Sequence, residues 1–170
     1  MSTGGIEIER KFRLPAVPPA DVLAAHAAES RLIEQTYLLP HDGGLRVRRV
    51  EMPGGVVRHW LTDKRRIAAF TFAEDEREID AAEYRRLLGD ADPDRTPIRK
   101  VRHVVAHGSQ RLEIDEFEQP PGLCVLEVEL EAVDEPVLLP DWLGEWREVT
   151  GDARYLNVNL ARRGSVVPPY

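Results

Sequence analysis

Gly5-Ile6-Glu7-Ile8-Glu9-Arg10-Lys11-Phe12-Arg13-Leu14 is a run of alternating character. Side chains of a strand point to opposite faces in turn, so Glu7, Glu9 and Lys11 share one face while Ile6, Ile8, Arg10 and Phe12 take the other. Seven further segments carry the same period of two, over 31–39, 44–51, 56–64, 68–79, 97–107, 109–118 and 122–132. Turn chemistry separates them, as in His41-Asp42-Gly43-Gly44, Pro53-Gly54-Gly55 and His107-Gly108-Ser109. Three helices interrupt the series. Pro19 opens one through 21–28, Asp80 with Glu83 forms a capping box for 81–88 ending at Gly89, and Thr150 caps one through 152–163 stopped by Gly164. Strands outnumber helices and most join through short turns. The reading is an α+β chain, mainly β: an antiparallel sheet or barrel with a few flanking helices, in one domain over 1–170.

Composition narrows the classes. The chain has 170 residues, 23 Lys+Arg against 30 Asp+Glu, and a net charge of −7. An acidic balance argues against a nucleic-acid partner, which wants a basic surface. No apolar run reaches the ~20 residues of a membrane helix, and residues 1–5 lack the basic and apolar parts of a secretory signal, so a cytoplasmic protein with no membrane partner is expected. A single cysteine, Cys124, excludes an internal disulfide and a cysteine metal cluster, and its apolar neighbours make it packing. His103 and His107 fall on a strand, where a spacing of four is too long for one zinc ion. Trp142 and Trp146, four apart on a helical turn, read as core. The paired glycines at 43–44 and 54–55 lack the Gly-Lys-Ser/Thr of a P-loop.

Split by parity, the strands sort their charges. The second sets Gln35 with Tyr37, the third Arg46 with Arg48, and the fourth Arg58, Trp60, Thr62 and Lys64. The fifth aligns Glu74, Glu76 and Glu78, and the sixth pairs Lys100 with Arg102. The seventh sets Arg111, Glu113 and Asp115 together, and the eighth Glu127, Glu129 and Glu131. The bland reading is a half-buried sheet with its charged face in water. Rows of like charge repel, however, and persist more readily with counter-ions between them. If the sheet closes, the first and last strands meet and bring Glu7 and Glu9 beside Glu127 and Glu129. That is a hard oxygen site suited to Mg²⁺ or Mn²⁺, with the basic rows lining the same lumen for a phosphate chain.

Glu7-Ile8-Glu9-Arg10-Lys11 resembles the Glu-x-Glu-x-Lys signature of the CYTH superfamily, also called triphosphate tunnel metalloenzymes. Similar segments follow in order: Ile33-Glu34-Gln35-Thr36-Tyr37-Leu38, Leu45-Arg46-Val47-Arg48, Leu61-Thr62-Asp63-Lys64, Glu76-Arg77-Glu78-Ile79 and Ile98-Arg99-Lys100-Val101-Arg102. Glu113-Ile114-Asp115-Glu116-Phe117, Gly122-Leu123 and Glu127-Val128-Glu129 come next. Glu148-Val149-Thr150-Gly151-Asp152, Tyr155-Leu156-Asn157 and Leu160-Ala161 then resemble the C-terminal helix of the short bacterial members. Two departures stand out. Family members often carry an arginine just before the acidic strand's Glu-x-Glu, where this chain has Phe72, with Arg65 or Arg66 as substitutes. The class IV adenylate cyclase branch usually shows a His-Phe element ahead of its first signature, and residues 1–6 hold none.

The resemblance implies an eight-stranded antiparallel closed tunnel that binds a small-molecule triphosphate with Mg²⁺ or Mn²⁺. Residue by residue, it implies one metal on Glu7, Glu9 and Glu129, and a second with Glu76, Asp115 and Glu127 available to it. Lys11, Arg46, Arg48, Lys64, Lys100 and Arg102 would bind phosphate oxygens. Tyr37 has two readings, a structural hydrogen-bonder or part of a water-activating catalytic group beside Lys11. The expected activity is metal-dependent hydrolysis of inorganic triphosphate or a related linear triphosphate. Thiamine or nucleoside triphosphate hydrolysis and cyclase chemistry suit the same tunnel, and a non-catalytic polyphosphate- or nucleotide-binding module is a further class. No pattern in the sequence chooses between monomer and homodimer.

Overall fold

The computed structural model describes residues 3–26, 28–39 and 44–170, so the turn expected at His41-Asp42-Gly43 lies outside the described residues. All eight expected strands form: β1 (Thr3–Leu14), β2 (Glu29–Tyr37), β3 (Leu45–Glu51), β4 (Val57–Ala68), β5 (Thr71–Ile79), β6 (Ile98–His107), β7 (Gln110–Gln119) and β8 (Leu123–Leu130). Antiparallel pairing runs β5-β4-β3-β2-β6-β7-β8-β1, and β1 then pairs with β5, closing the ring. A two-residue strand, β9 (Arg147–Glu148), adds to β1 beyond that seam. Closure works because β1 is long enough to serve two neighbours. Its first half, Thr3 to Ile8, meets β5, and Ile8 to Leu14 meets β8. Gly44, just before β3, lies hard against β4, since a Cβ there would run into the Lys64 carbonyl oxygen.

Alternation turns the barrel inside out relative to one with an oily centre. Much of the outward face is apolar and buried beneath other parts of the chain. Phe12, Leu112, Ile114, Leu126 and Val128 pack under Leu23 of α1 (Ala20–Ala25) and under Leu143. Val47 and Ile79 pack under Tyr84 of α2 (Ala81–Leu87). One end of the interior is also apolar, where Tyr37, Ile98, Phe117, Leu123 and Val125 meet Val149, Tyr155 and Leu160 of the C-terminal segment. No helix among the described residues is long and apolar enough to cross a membrane.

The helices depart from expectation in detail. Asp80 caps α2 by accepting from the Ala82 and Glu83 amides at 2.9 and 2.8 Å, but Glu83 does not complete the box. Its carboxylate is taken by Arg77 at 2.6 Å. The expected helix over 152–163 shrinks to a 3-10 turn, Ala153–Tyr155, and the four-residue α3 (Asn157–Leu160). Thr150 is not its cap. The Thr150 hydroxyl accepts from the Lys11 amide at 3.0 Å and donates to Glu148 at 2.7 Å, which ties it to β1. Past Leu160 the backbone leaves the helix to bond to the loop before β6, with Thr96 N donating to Ala161 O at 2.7 Å and Arg163 N to Asp94 O at 2.9 Å. Trp142 stacks on His26 at 4.6 Å, whereas Trp146 is 46% exposed and meets Phe12 in a T-shaped pair at 5.5 Å.

Leu126 is fully buried between β8 and the covering segments. Leu126→Ala is expected to lower unfolding free energy by about 2–5 kcal/mol, read as a fall in urea midpoint with unchanged slope. An unaltered midpoint would mean that the outer wall is not the stabilising core.

Candidate active site

The inward faces enclose a cavity of about 760 Å³. Of the residues singled out from sequence, Glu7, Glu9, Lys11, Tyr37, Arg46, Arg48, Lys64, Glu76, Lys100, Arg102, Glu127 and Glu129 all line it. The seam places Glu9 directly opposite Glu129 and Lys11 opposite Glu127, while Glu7 faces Phe72 on the other side. Asp115 is the exception. It is fully buried and does not line the cavity, because Lys100 and Arg102 lie over it and occupy both of its oxygens.

Lys11, Arg46, Arg48, Lys64, Lys100 and Arg102 are each engaged by a carboxylate. Arg102 donates to Asp115 at 2.7 Å and to Glu127 at 2.6 Å, and also pairs with Glu113. Lys11 lies 3.0 Å from Glu127 and 3.5 Å from Glu9. Lys64 bridges Glu7 and Glu9, the latter at 3.0 Å. Arg48 pairs with Glu76, which also accepts from Thr62 at 2.6 Å, and Arg46 reaches Glu74 at 3.4 Å. Among the described residues no three acidic, histidine or cysteine side chains already converge as a metal site. Ammonium groups stand among the carboxylates instead.

Burial and pairing set the protonation of these groups. Burial opposes charge on Lys11, but Glu127 and Glu9 outweigh it and hold its pKa above that of an ordinary lysine. Burial likewise opposes the Glu127 carboxylate, yet Lys11, Lys100 and Arg102 hold it well below the usual range. Burial pushes the Tyr37 phenol up, with Arg46 opposing, and its oxygen accepts from Gln35 at 2.9 Å. Glu7 goes the other way. Desolvation, only partly offset by Lys64 and reinforced by Glu9 and Glu74, raises it to about 7. Desolvation and the neighbouring Glu113 raise Glu129 too. Crowded hard-oxygen donors whose charge is only partly compensated fit a hard divalent cation.

Several lining residues escaped the sequence reading. Glu74 and Glu113 share the parity of their strands but were not assigned roles. Arg95, Asn157, Asn159 and Arg162 come from the loop before β6 and the C-terminal turn, where no period marks a face. Ile33, Val50 and Met52, also unassigned, join Trp60, which parity already sets on the lumen face with Arg58, in an apolar part of the wall near the β3–β4 turn.

A CYTH domain model matches residues 5–165. An inorganic triphosphatase of Acetivibrio thermocellus is 33% identical over 160 residues, spanning 93% of this chain and 94% of its own. The crystal structure of the inorganic triphosphatase NE1496 superimposes with a TM-score of 0.56 at 25% identity, covering 96% of this chain and 97% of that one. The PH1012 protein from Pyrococcus horikoshii OT3 shares the fold, with a TM-score of 0.52 at 19% identity over 75% of this chain and 80% of its own.

The raised Glu7 carboxyl has a consequence for stability. Its folded pKa of about 7 lies above the ordinary 4.5, so the unfolded chain ionises first as pH rises. The Glu7 contribution therefore falls between about pH 4.5 and 7 and is constant on either side. In metal-free urea unfolding, the free energy of wild type minus that of Glu7→Gln should drop by about 1–3 kcal/mol from pH 5 to pH 8. A flat difference would contradict this.

Proposed function

Because the chain belongs to the CYTH domain family, we propose that it hydrolyses a linear triphosphate within its charged lumen, with inorganic triphosphate preferred. One observation carries the reading: a single cavity lines up rows of lysine and arginine with rows of glutamate, paired with each other. Phosphoryl transfer needs little covalent help from a protein and much alignment and charge neutralisation. Lys11, Arg46, Arg48, Lys64, Lys100 and Arg102 supply donors to phosphate oxygens. Lys11 and Tyr37 both keep their protons, so they act as donors to the substrate and not as bases. Glu7, Glu9 and Glu129 hold a divalent cation, Mg²⁺ or Mn²⁺, and Glu76 and Glu127 are available to a second. When bound, the cation supplies Lewis-acid neutralisation of the phosphate charge. Asp115 is better assigned as the anchor that fixes Lys100 and Arg102 than as a metal ligand, since it is fully buried beneath them and does not line the cavity.

A second reading, action on a nucleoside or thiamine triphosphate, is favoured by the apolar wall of Ile33, Val50, Met52 and Trp60, against which an organic ring could rest. Cyclisation asks more, because a 3′-hydroxyl must be aligned on the α-phosphorus.

The test is phosphate release from inorganic triphosphate and from ATP with Mg²⁺ or Mn²⁺, with the products separated by chromatography. Orthophosphate and pyrophosphate from inorganic triphosphate, faster than turnover of ATP and abolished by EDTA, are expected. Cyclic AMP as the main product of ATP with inorganic triphosphate untouched would reverse the ranking, and full activity without metal would remove the cation from the scheme.

Arg46→Ala and Arg102→Ala should each cost about 2–4 kcal/mol of transition-state stabilisation in kcat/KM. Arg10 faces outward and pairs with Glu148 at 2.8 and 2.7 Å, so Arg10→Ala should leave turnover within about twofold, as expected of an exposed ion pair. An Arg10 variant as impaired as the Arg46 one would overturn the assignment of faces.

A further inference from the structure

Phe72 breaks the charge pattern of the cavity. It is 7% exposed, lines the cavity, and stands opposite Glu7 on one side and Arg66 on the other. The Lys64 ammonium lies 4.5 Å from the centre of its ring. The same nitrogen bridges Glu7 and Glu9 and is 3.9 Å from Glu74. Lys64 thus has two kinds of partner, carboxylates and one aromatic face.

Resting on the function proposed above, these two partners separate when a divalent cation binds. A cation held by Glu7 and Glu9 takes the carboxylates that now hold Lys64. A buried ammonium stripped of its counter-charges is costly unless something of negative electrostatic character remains beside it. The face of an aromatic ring is such a partner, and its attraction grows when water is excluded. A cationic side chain in this place would compete for Glu7 and repel Lys64, and an aliphatic one would offer no electrostatic partner.

We propose that Phe72 is a positioning residue: its ring seats the Lys64 ammonium in the lumen, so that Glu7 and Glu9 are released to the metal while Lys64 stays directed at the substrate.

Metal binding without substrate tests this, by titrating the whole protein with Mn²⁺ alone and following free Mn²⁺ by electron paramagnetic resonance. Phe72→Leu, which keeps apolar bulk but removes the ring, should weaken Mn²⁺ binding ~3- to 10-fold, and Phe72→Tyr should restore it to within ~2-fold. In a Lys64→Met background, Phe72→Leu should have no further effect on Mn²⁺ affinity, because the ring acts through Lys64. With inorganic triphosphate, Phe72→Leu should raise KM more than it lowers kcat. Wild-type Mn²⁺ affinity in Phe72→Leu, or an equal loss with and without Lys64, would overturn the proposal. If wild-type protein bound Mn²⁺ but turned over no triphosphate, the proposed function would fail while the titration still decided the role of Phe72.

Discussion

A charge taken out of water must find an opposite charge, and that requirement shapes the inside of this barrel. Glu127 shows it most plainly, with Lys11 at 3.0 Å, Arg102 at 2.6 Å, and its carboxyl held well below the ordinary range. Arg102 passes the pairing on to Asp115, and Asp115 to Lys100. Desolvation makes such networks poor sources of stability, and well-packed apolar residues often do as well or better in their place. A barrel that keeps so many charges inside is therefore giving up some packing for an interior that can exchange partners.

Stability comes from outside the lumen instead. Phe12 alternates with Lys11 on β1, Leu126 with Glu127 on β8, and Val47 with Arg46 on β3, so these strands set a buried apolar residue on one side and a lumen charge on the other. The apolar faces find cover under α1, α2 and the segment around Leu143, while the C-terminal segment closes one end through Tyr155 and Leu160. The two roles meet at Lys11. Its amide donates to Thr150, its carbonyl accepts from Val149 N at 2.8 Å, and its ammonium sits among the lumen carboxylates. The segment that plugs the barrel also fixes the height of a lumen cation.

The strands and their faces were legible in the sequence because a period of two is a local signal that closure does not alter. The meeting of Glu9 with Glu129 was expected from the first strand closing on the last, but it is reached through a crossed topology that the sequence does not announce, with β2 between β3 and β6 and β1 between β8 and β5. What lay beyond reach depended on contacts between distant segments. Asp115 has lumen parity, but parity does not reveal that Lys100 and Arg102 cover it. The helix expected near the C-terminus yields after Leu160 to backbone bonds with residues 94–96, which no capping pattern encodes. Glu83 had a choice between its own helix end and Arg77, and a two-pronged ion pair with a strand residue won. Phe72 looked like a lost cation; beside Lys64 it is a partner for one.

Under the proposed function, the same pairing rule links metal and substrate. A phosphate chain entering alone would draw Arg48 from Glu76 and Lys64 from Glu9, leaving those carboxylates with less counter-charge. A divalent cation entering alone would leave Lys64 and Arg48 short of counter-charge. Together, the cation takes the carboxylates, the phosphates take the lysines and arginines, and each buried charge is again paired. Each ligand removes the cost of the other, so by linkage each raises the other's affinity by the same factor. An apolar tunnel could be more stable, and a purely basic one could hold polyanions. Neither would couple a hard cation to a phosphate chain, as the interleaved rows of this lumen would under that function.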